Sequence, residues 1–212
     1  MTVQERRVRE KNEVREKILD AARELFVTYG YDGVTMRKVA ERIEYSPTAI
    51  YLHFADKESL FREICHQDFH RLSLAFRDLA NIEDPAERLA ACGRTYVEFA
   101  VANPNHYRLM FMTPYPETVK FTEDQLAERG NPNQDAYAFL LAQVCDSLKA
   151  GAFRPELTDA QLIAQTLWAA VHGVASLAIA MDKDRWIEWR PLADRHRAMM
   201  DALMSGLMRS GA

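Results

Sequence analysis

The sequence predicts an all-α protein, a three-helix head at the N-terminus followed by a larger helical bundle. Three observations support this. Apolar residues recur at three- and four-residue spacing along most of the 212 residues. Helix-starting pairs, Ser46-Pro47, Asp84-Pro85 and Asn103-Pro104, punctuate the chain. No alternating run reads as a strand, and no internal repeat or low-complexity run is present. The length suits one large or two small domains with a real core.

The first helix carries Val14, Ile18, Ala21, Ala22, Leu25, Phe26 and Tyr29 on one side and ends at Gly30. Thr35 caps a second helix whose Val39, Ala40 and Ile43 face inward and which stops near Glu44. Ser46 caps a short third helix with Pro47 at its first position, where the missing N–H costs nothing. Ile50 points inward from it, and Phe54 anchors the chain as it leaves. Asp56 opens a fourth helix running toward Leu79. A fifth covers 84–102 and a sixth 103–112. Pro114, Pro116, Gly130 and Pro132 break the pattern over 113–134, leaving room for one short helix within 117–129. Further helices follow over 134–150, 159–181 and 191–208.

The chemistry concentrates in the segment Thr35 to Lys57. Two short helices at a steep angle, the second opening with small residues, form a helix-turn-helix arrangement. Thr35, Arg37, Lys38, Pro47, Thr48, Ala49, Tyr51, His53 and Lys57 are left outside the packing. Small residues let a recognition helix sink into a major groove roughly 12 Å wide. Arg37 has the reach for guanine O6 and N7, and the methyls of Thr48 and Ala49 suit a thymine methyl. Thr35, Tyr51, His53 and Lys57 suit phosphate contacts, which fix register without reading sequence. An ordinary helical hairpin with solvated charges explains the cations, but not why caps, small residues and donors fall on one side.

Thr35, Val39-Ala40, Ser46, Tyr51, His53-Phe54, Lys57 and Leu60, with Leu25-Phe26 and Gly30-Tyr31 before them, resemble the DNA-binding domain of TetR-family bacterial regulators. The resemblance covers about a quarter of the chain. It implies base contacts from Arg37, Pro47, Thr48, Ala49 and Tyr51, and phosphate contacts from Thr35, Ser46, Tyr51, His53 and Lys57. One residue departs from the family pattern. Glu44 stands in the turn where a glycine is usual, so either the turn differs or a non-glycine residue takes a positive φ at a cost of about 1 kcal/mol. Its carboxylate is expected to point away from DNA.

The net charge of −4 is uneven. Residues 1–60 hold eleven Lys/Arg and eleven Asp/Glu, so the rest of the chain carries the deficit. Arg6, Arg7, Arg9 and Lys11 make a basic N-terminal arm, interleaved with Glu5, Glu10 and Glu13. Such an arm can track a minor groove or simply be solvated. The domains expected are residues 1–57, the DNA-binding head with its arm, and 58–212, a ligand-binding and dimerisation body. No signal peptide is evident at the start, and the most apolar stretch, 162–181, carries Gln165 and His172 and reads as a buried helix. A cytoplasmic location and no membrane contact are expected. Cys65, Cys92 and Cys145 lack CxxC pairing and read as reduced, buried residues.

The last two helices are apolar on more than one side. Leu162, Ile163, Leu167, Val171, Val174, Leu177 and Ala178 mark the first; Leu192, His196, Met199, Met200, Leu203, Met204, Leu207 and Met208 mark the second. Periodicity alone leaves them as core or interface. The family resemblance favours a homodimer paired through them, reading a palindromic operator. Asn103-Pro104 with Tyr107-Arg108-Leu109-Met110-Phe111, and Trp168 with His172-Gly173, further resemble the ligand-domain signature called WHG.

An effector cavity would draw on Tyr96, Phe99, Tyr107, Phe111, Tyr137, Trp168 and His172, although such stripes also build ordinary cores. Cys65, His66, Asp68 and His70 look metal-like by composition, but Cys65 lies about 100° round the helix from His66, and neither metal nor cofactor is assigned. No nucleophile elbow, phosphate loop or HExxH occurs, so an enzyme is not expected. The reading is a homodimeric transcriptional repressor released from its operator by a small apolar or aromatic effector. The alternative is a DNA-bound platform for another protein, without a small-molecule ligand.

Overall fold

The computed structural model describes residues 2–181 and 184–209. Among these, the helices are α1 (Val3–Tyr29), α2 (Met36–Arg42), α3 (Pro47–Tyr51), α4 (Lys57–Phe76), α5 (Pro85–Ala102), α6 (Pro104–Phe111), α7 (Glu123–Glu128), α8 (Ala136–Lys149), α9 (Ala160–Ala180) and α10 (Leu192–Leu207). A 3-10 turn, Arg77–Asn81, follows α4. Extended pairing among the described residues is limited to one bridge, Phe153 to Met208. The all-α reading holds, and α7 falls inside the interval the prolines had left irregular.

The chain divides into two compact units, residues 2–68 with 105–126 and residues 69–104 with 127–209. The DNA-binding head expected over residues 1–57 is shorter than this first unit. Here the division falls inside α4, because Leu60, Phe61, Ile64 and Cys65 complete the core of the first unit. Leu109 and Val119 enter the same core from later in the chain.

In the first unit, the basic N-terminal arm is the start of α1. Thr2 and Glu5 form a reciprocal capping box at the start of α1. The interleaved glutamates then pair along the helix, Arg6 with Glu10 at 2.7 Å and Arg9 with Glu13 at 3.4 Å. Alternating charge that looked like a disordered arm is thus an i, i+4 ladder. Farther along α1, Ile18, Leu19, Ala22 and Phe26 are fully buried. Each such large side chain contributes about 1.5–3 kcal/mol on burial. Phe26 meets Phe61 edge-on at 5.0 Å and stacks on Tyr31 at 5.8 Å, which fixes α4 and the α1–α2 turn against α1.

The second unit is a bundle of α5, α8, α9 and α10. Asp84, Asp135 and Asp159 each accept two backbone N–H groups and start α5, α8 and α9 sharply. Leu89, Val144, Phe153, Ile163, Ala164 and Leu167 form its core. A Cβ at Gly93 would lie 3.1 Å from Met200 Sδ and 3.2 Å from Val171 Cγ1, so the missing side chain lets α5 approach α9 and α10 closely. By length and composition α9 could cross a membrane. Its Ile163, Ala164, Leu167, Val171, Ala175 and Ile179 are buried within the bundle, while Leu162 and Leu177 remain exposed, so only part of the helix is covered.

Candidate nucleic-acid interface

The hairpin of α2 and α3 is set from inside. Val39, Ala40 and Ile50 are fully buried and Phe54 nearly so. Thr35 Oγ1 accepts the Lys38 N–H and Ser46 Oγ accepts the Ala49 N–H, each at 3.2 Å. Both predicted caps are therefore made. Between the helices, the Tyr45 N–H reaches back to the Ala40 carbonyl at 3.0 Å. Glu44 takes φ 60°, alone among the described non-glycine residues in having a positive φ. The turn therefore keeps the left-handed geometry that a glycine would supply and accepts the strain.

The outward face matches most of the sequence expectation. Thr35, Arg37, Lys38, Ser46, Pro47, Thr48 and Tyr51 are exposed, while Ala49, His53 and Lys57 are half-buried. Arg37 lies in an exposed i, i+4 pair with Glu41 at 2.8 Å. Exposed pairs contribute only about 0–1 kcal/mol, so the guanidinium is readily released to a stronger partner.

Two lysines of this face are held by the end of α1 and the chain just after it. Lys38 Nζ donates to the Gly33 carbonyl at 2.6 Å and lies 5.6 Å from the Tyr29 ring centroid. Lys57 Nζ donates to the Tyr31 carbonyl at 3.1 Å and sits 4.0 Å over the Tyr31 ring. One turn of chain between α1 and α2 thus positions both cations. His53 is half-buried, and its Nδ1 has no hydrogen-bond partner among the described residues. Burial, then the charges of Lys11 and Arg15, lower its pKa.

Behind this face lies a buried charge network. Arg23 donates to both Asp68 oxygens, Nε to Oδ2 at 3.0 Å and Nη2 to Oδ1 at 2.9 Å. Its Nη1 reaches Asp20 at 2.7 Å, and His106 Nδ1 lies 2.8 Å from Asp68 Oδ1. Burial acts to lower the arginine pKa, but the hydrogen bonds and charges of Asp68 and Asp20 outweigh it and the net shift is upward. The network joins α1, α4 and α6 within the first unit.

The effector candidates fall into two groups. Tyr96, Tyr137, Trp168 and His172 meet in the second unit. Trp168 Nε1–H donates to the Tyr96 oxygen at 3.3 Å, and that hydroxyl lies 2.9 Å from His172 Nδ1. The Tyr96 hydroxyl thus links the indole and the imidazole in one polar chain. The Tyr137 ring lies 5.8 Å from Trp168. Phe99 is half-buried one turn beyond Tyr96 on α5. Tyr107 and Phe111 instead pack on each other at 5.2 Å in the first unit, with Tyr107 fully buried. Their shared aromatic character had grouped them with residues of a different compact unit.

The cysteines are all free. Burial raises the thiols of Cys65 and Cys92 to about 12. Asp68, counted with Cys65, His66 and His70 in the metal-like set, is taken up by Arg23 and His106. No group of three or more His, Cys, Asp or Glu among the described residues could hold a metal ion.

Known proteins match at both ends of the chain. Residues 18–64 match the profile of bacterial regulatory proteins of the tetR family. Residues 89–207, more than half the chain, match the tetracyclin repressor-like C-terminal domain. The chain belongs to the TetR family. It is 42% identical over 57 residues to the HTH-type transcriptional repressor AcnR of Corynebacterium jeikeium, covering 27% of this chain and 30% of that protein. It is 30% identical over 118 residues to the HTH-type transcriptional activator FasR of Mycolicibacterium smegmatis, covering 55% and 52%. The match thus spans about a third to a half of the length of these relatives. PfmR, a TetR-family transcriptional regulator of Thermus thermophilus, superposes with TM-score 0.70 at 21% identity, over 92% of this chain and 98% of that one. A Rhodococcus protein of unknown function gives 0.71 at 25%, over 92% and 95%. The named relatives AcnR, FasR and PfmR are all regulators of transcription.

Proposed function

We propose that this TetR-family protein is a cytoplasmic, homodimeric transcriptional repressor that reads a palindromic operator with α3 and leaves it when a small apolar or aromatic effector binds the body. The observation that supports DNA reading most directly is the outward face of α2 and α3. Thr48 and Tyr51 are exposed on a rigidly capped helix, Arg37 stands beside them on α2, and Lys38 and Lys57 are held in place by the α1–α2 turn. Base-reading groups are thus flanked by fixed cations, the order in which a major groove meets its phosphates.

The outer faces of α9 and α10 support the dimer. Leu162, Thr166, Ala169, Leu177 and Ala180 are exposed along α9, with Leu162 59% and Leu177 48% accessible. Ala198, Ala202, Ser205 and Gly206 are exposed along α10. Such small and apolar surfaces allow two helix pairs to meet closely in an isologous four-helix interface. For the effector, the Tyr96–Trp168–His172–Tyr137 cluster is the recognition surface, with Phe99 beside it. The effector shifts operator affinity only by its differential affinity for two states of the body, typically about 1–3 kcal/mol.

Selection from a random duplex pool, followed by anisotropy titration, tests the reading. Arg37→Ala should relax base preference at one position of each half-site, at a cost of about 1–3 kcal/mol. Lys57→Ala should weaken selected and random duplexes alike. If both variants bind both duplexes as the parent does, the assignment of the reading face is wrong. A sedimentation coefficient of a monomer at micromolar concentration would remove the dimer.

A further inference from the structure

We propose that the groove between α5 and α10 binds a small uncharged molecule, largely apolar and carrying one O–H or N–H donor, which His196 Nε2 receives. The groove has a volume of about 500 Å³ and is walled by Val97, Val101, Leu192 and Met200. That size lies within the range of small-molecule sites.

His196 gives the groove its polar point. The side chain is 8% exposed, and its Nε2 is buried with no hydrogen-bond partner among the described residues. The other side of the ring is engaged by the backbone of Gly93. A carbonyl there can only accept, so Nδ1 carries the proton and Nε2 presents a lone pair. Buried acceptors are almost always satisfied, and a donor entering the groove satisfies this one. Burial also lowers the imidazole pKa, which keeps the ring neutral.

The rim selects for an uncharged ligand. Arg94 and Glu98 stand four residues apart on α5, and Arg197 and Asp201 four apart on α10. Each cation has an anion one turn away, so the rim offers no net charge to a carboxylate or an amine.

Two arguments separate this groove from the sites already proposed. At 100° per residue, the groove residues of α5 lie on the opposite side of that helix from Tyr96 and Phe99. On α10 the centre of the groove, His196 and Met200, lies far round the helix from Ala198, Ala202 and Ser205, while Leu192 and Asp201 stand at its edges, within roughly 40° of Gly206 and Ser205. The groove is therefore neither the aromatic cluster nor the small-residue face assigned to the dimer.

The test uses the full chain, ¹⁵N-labelled, with the imidazole nitrogens followed by NMR. The probes are 1-octanol, octyl methyl ether, which keeps the chain and lacks the donor, and octanoate. Octanol should move the His196 Nε2 resonance saturably and bind roughly 10-fold tighter than either other probe. His196→Phe should bring octanol and the ether to equal affinity. Ala193→Trp, at an exposed position on the rim, should abolish the His196 response.

An Nε2 resonance unmoved by saturating octanol overturns the proposal, as does octanoate binding as tightly as octanol. A response that survives Ala193→Trp places the molecule elsewhere and also overturns it. A resonance that moves with protein concentration alone assigns the groove to a second copy of the chain, with the same result. The readout is the imidazole itself, so any of these failures leaves the DNA-binding reading untouched.

Discussion

Asp68 shows how much one residue can hold. It is fully buried, yet both oxygens are engaged, by Arg23 from α1 and His106 from α6. Replacing it with asparagine removes the buried counter-charge of Arg23 and leaves only the exposed Asp20 beside the guanidinium. Asp68→Asn should therefore lower unfolding free energy by about 3–5 kcal/mol, read from urea denaturation. The double variant Arg23→Met, Asp68→Leu removes both charges and should recover most of that loss. The signal for this network was present in the sequence. Arg23 falls among Leu19, Ala22 and Phe26 on the buried stripe of α1, and Asp68 follows Phe61, Ile64 and Cys65 on that of α4. A charge on an apolar stripe needs a partner. Composition alone had instead grouped Asp68 with the neighbouring Cys65, His66 and His70.

Capping chemistry was the most legible feature at the level of the helix. Thr35, Ser46, Asp84 and Asp159 all start helices, because a side-chain acceptor before a helix acts locally and leaves a local signature. The extent of α1 was less legible. Its first ten residues bury nothing, so no apolar period announced them, and the Arg–Glu ladder that stabilises them also resembles a solvated arm. The α2–α3 turn shows the reverse, an oddity in sequence that the backbone confirms at Glu44. Glu44→Gly should stabilise the protein by up to about 1 kcal/mol, since glycine takes the left-handed region without a Cβ penalty. Thermal melting reads this directly, and an unchanged or lower midpoint would mean the turn is not strained.

For the molecule as a whole, three histidines respond to acid in the same direction. Burial lowers the pKa of His172, of His53 with help from Lys11 and Arg15, and of His196 with help from Arg94. Below the ordinary imidazole value of 6.5 the unfolded chain takes up protons that the folded one refuses. Stability from these groups is therefore complete above pH 6.5 and is lost as pH falls through the lowered folded values. Melting midpoints should be flat on the alkaline side and decline on acidification, and His172→Gln should make the decline shallower. The return of 105–126 to the first core was not legible, because Leu109 and Val119 meet Phe61 and Ile64 only after the intervening chain has folded back. The split of the aromatic candidates between two units was hidden for the same reason.

Gly93 carries a consequence for how this sequence can vary. A helical glycine costs about 1 kcal/mol against alanine, and here the cost is offset because three helices meet where its side chain would stand. The positions 93, 171 and 200 are consequently one unit of inheritance. Val171 is branched at Cβ and cannot turn aside, while the Met200 thioether can. An alanine at 93 is therefore accommodated by the end of the Met200 side chain giving way, while the Val171 side sets how far any larger residue can reach.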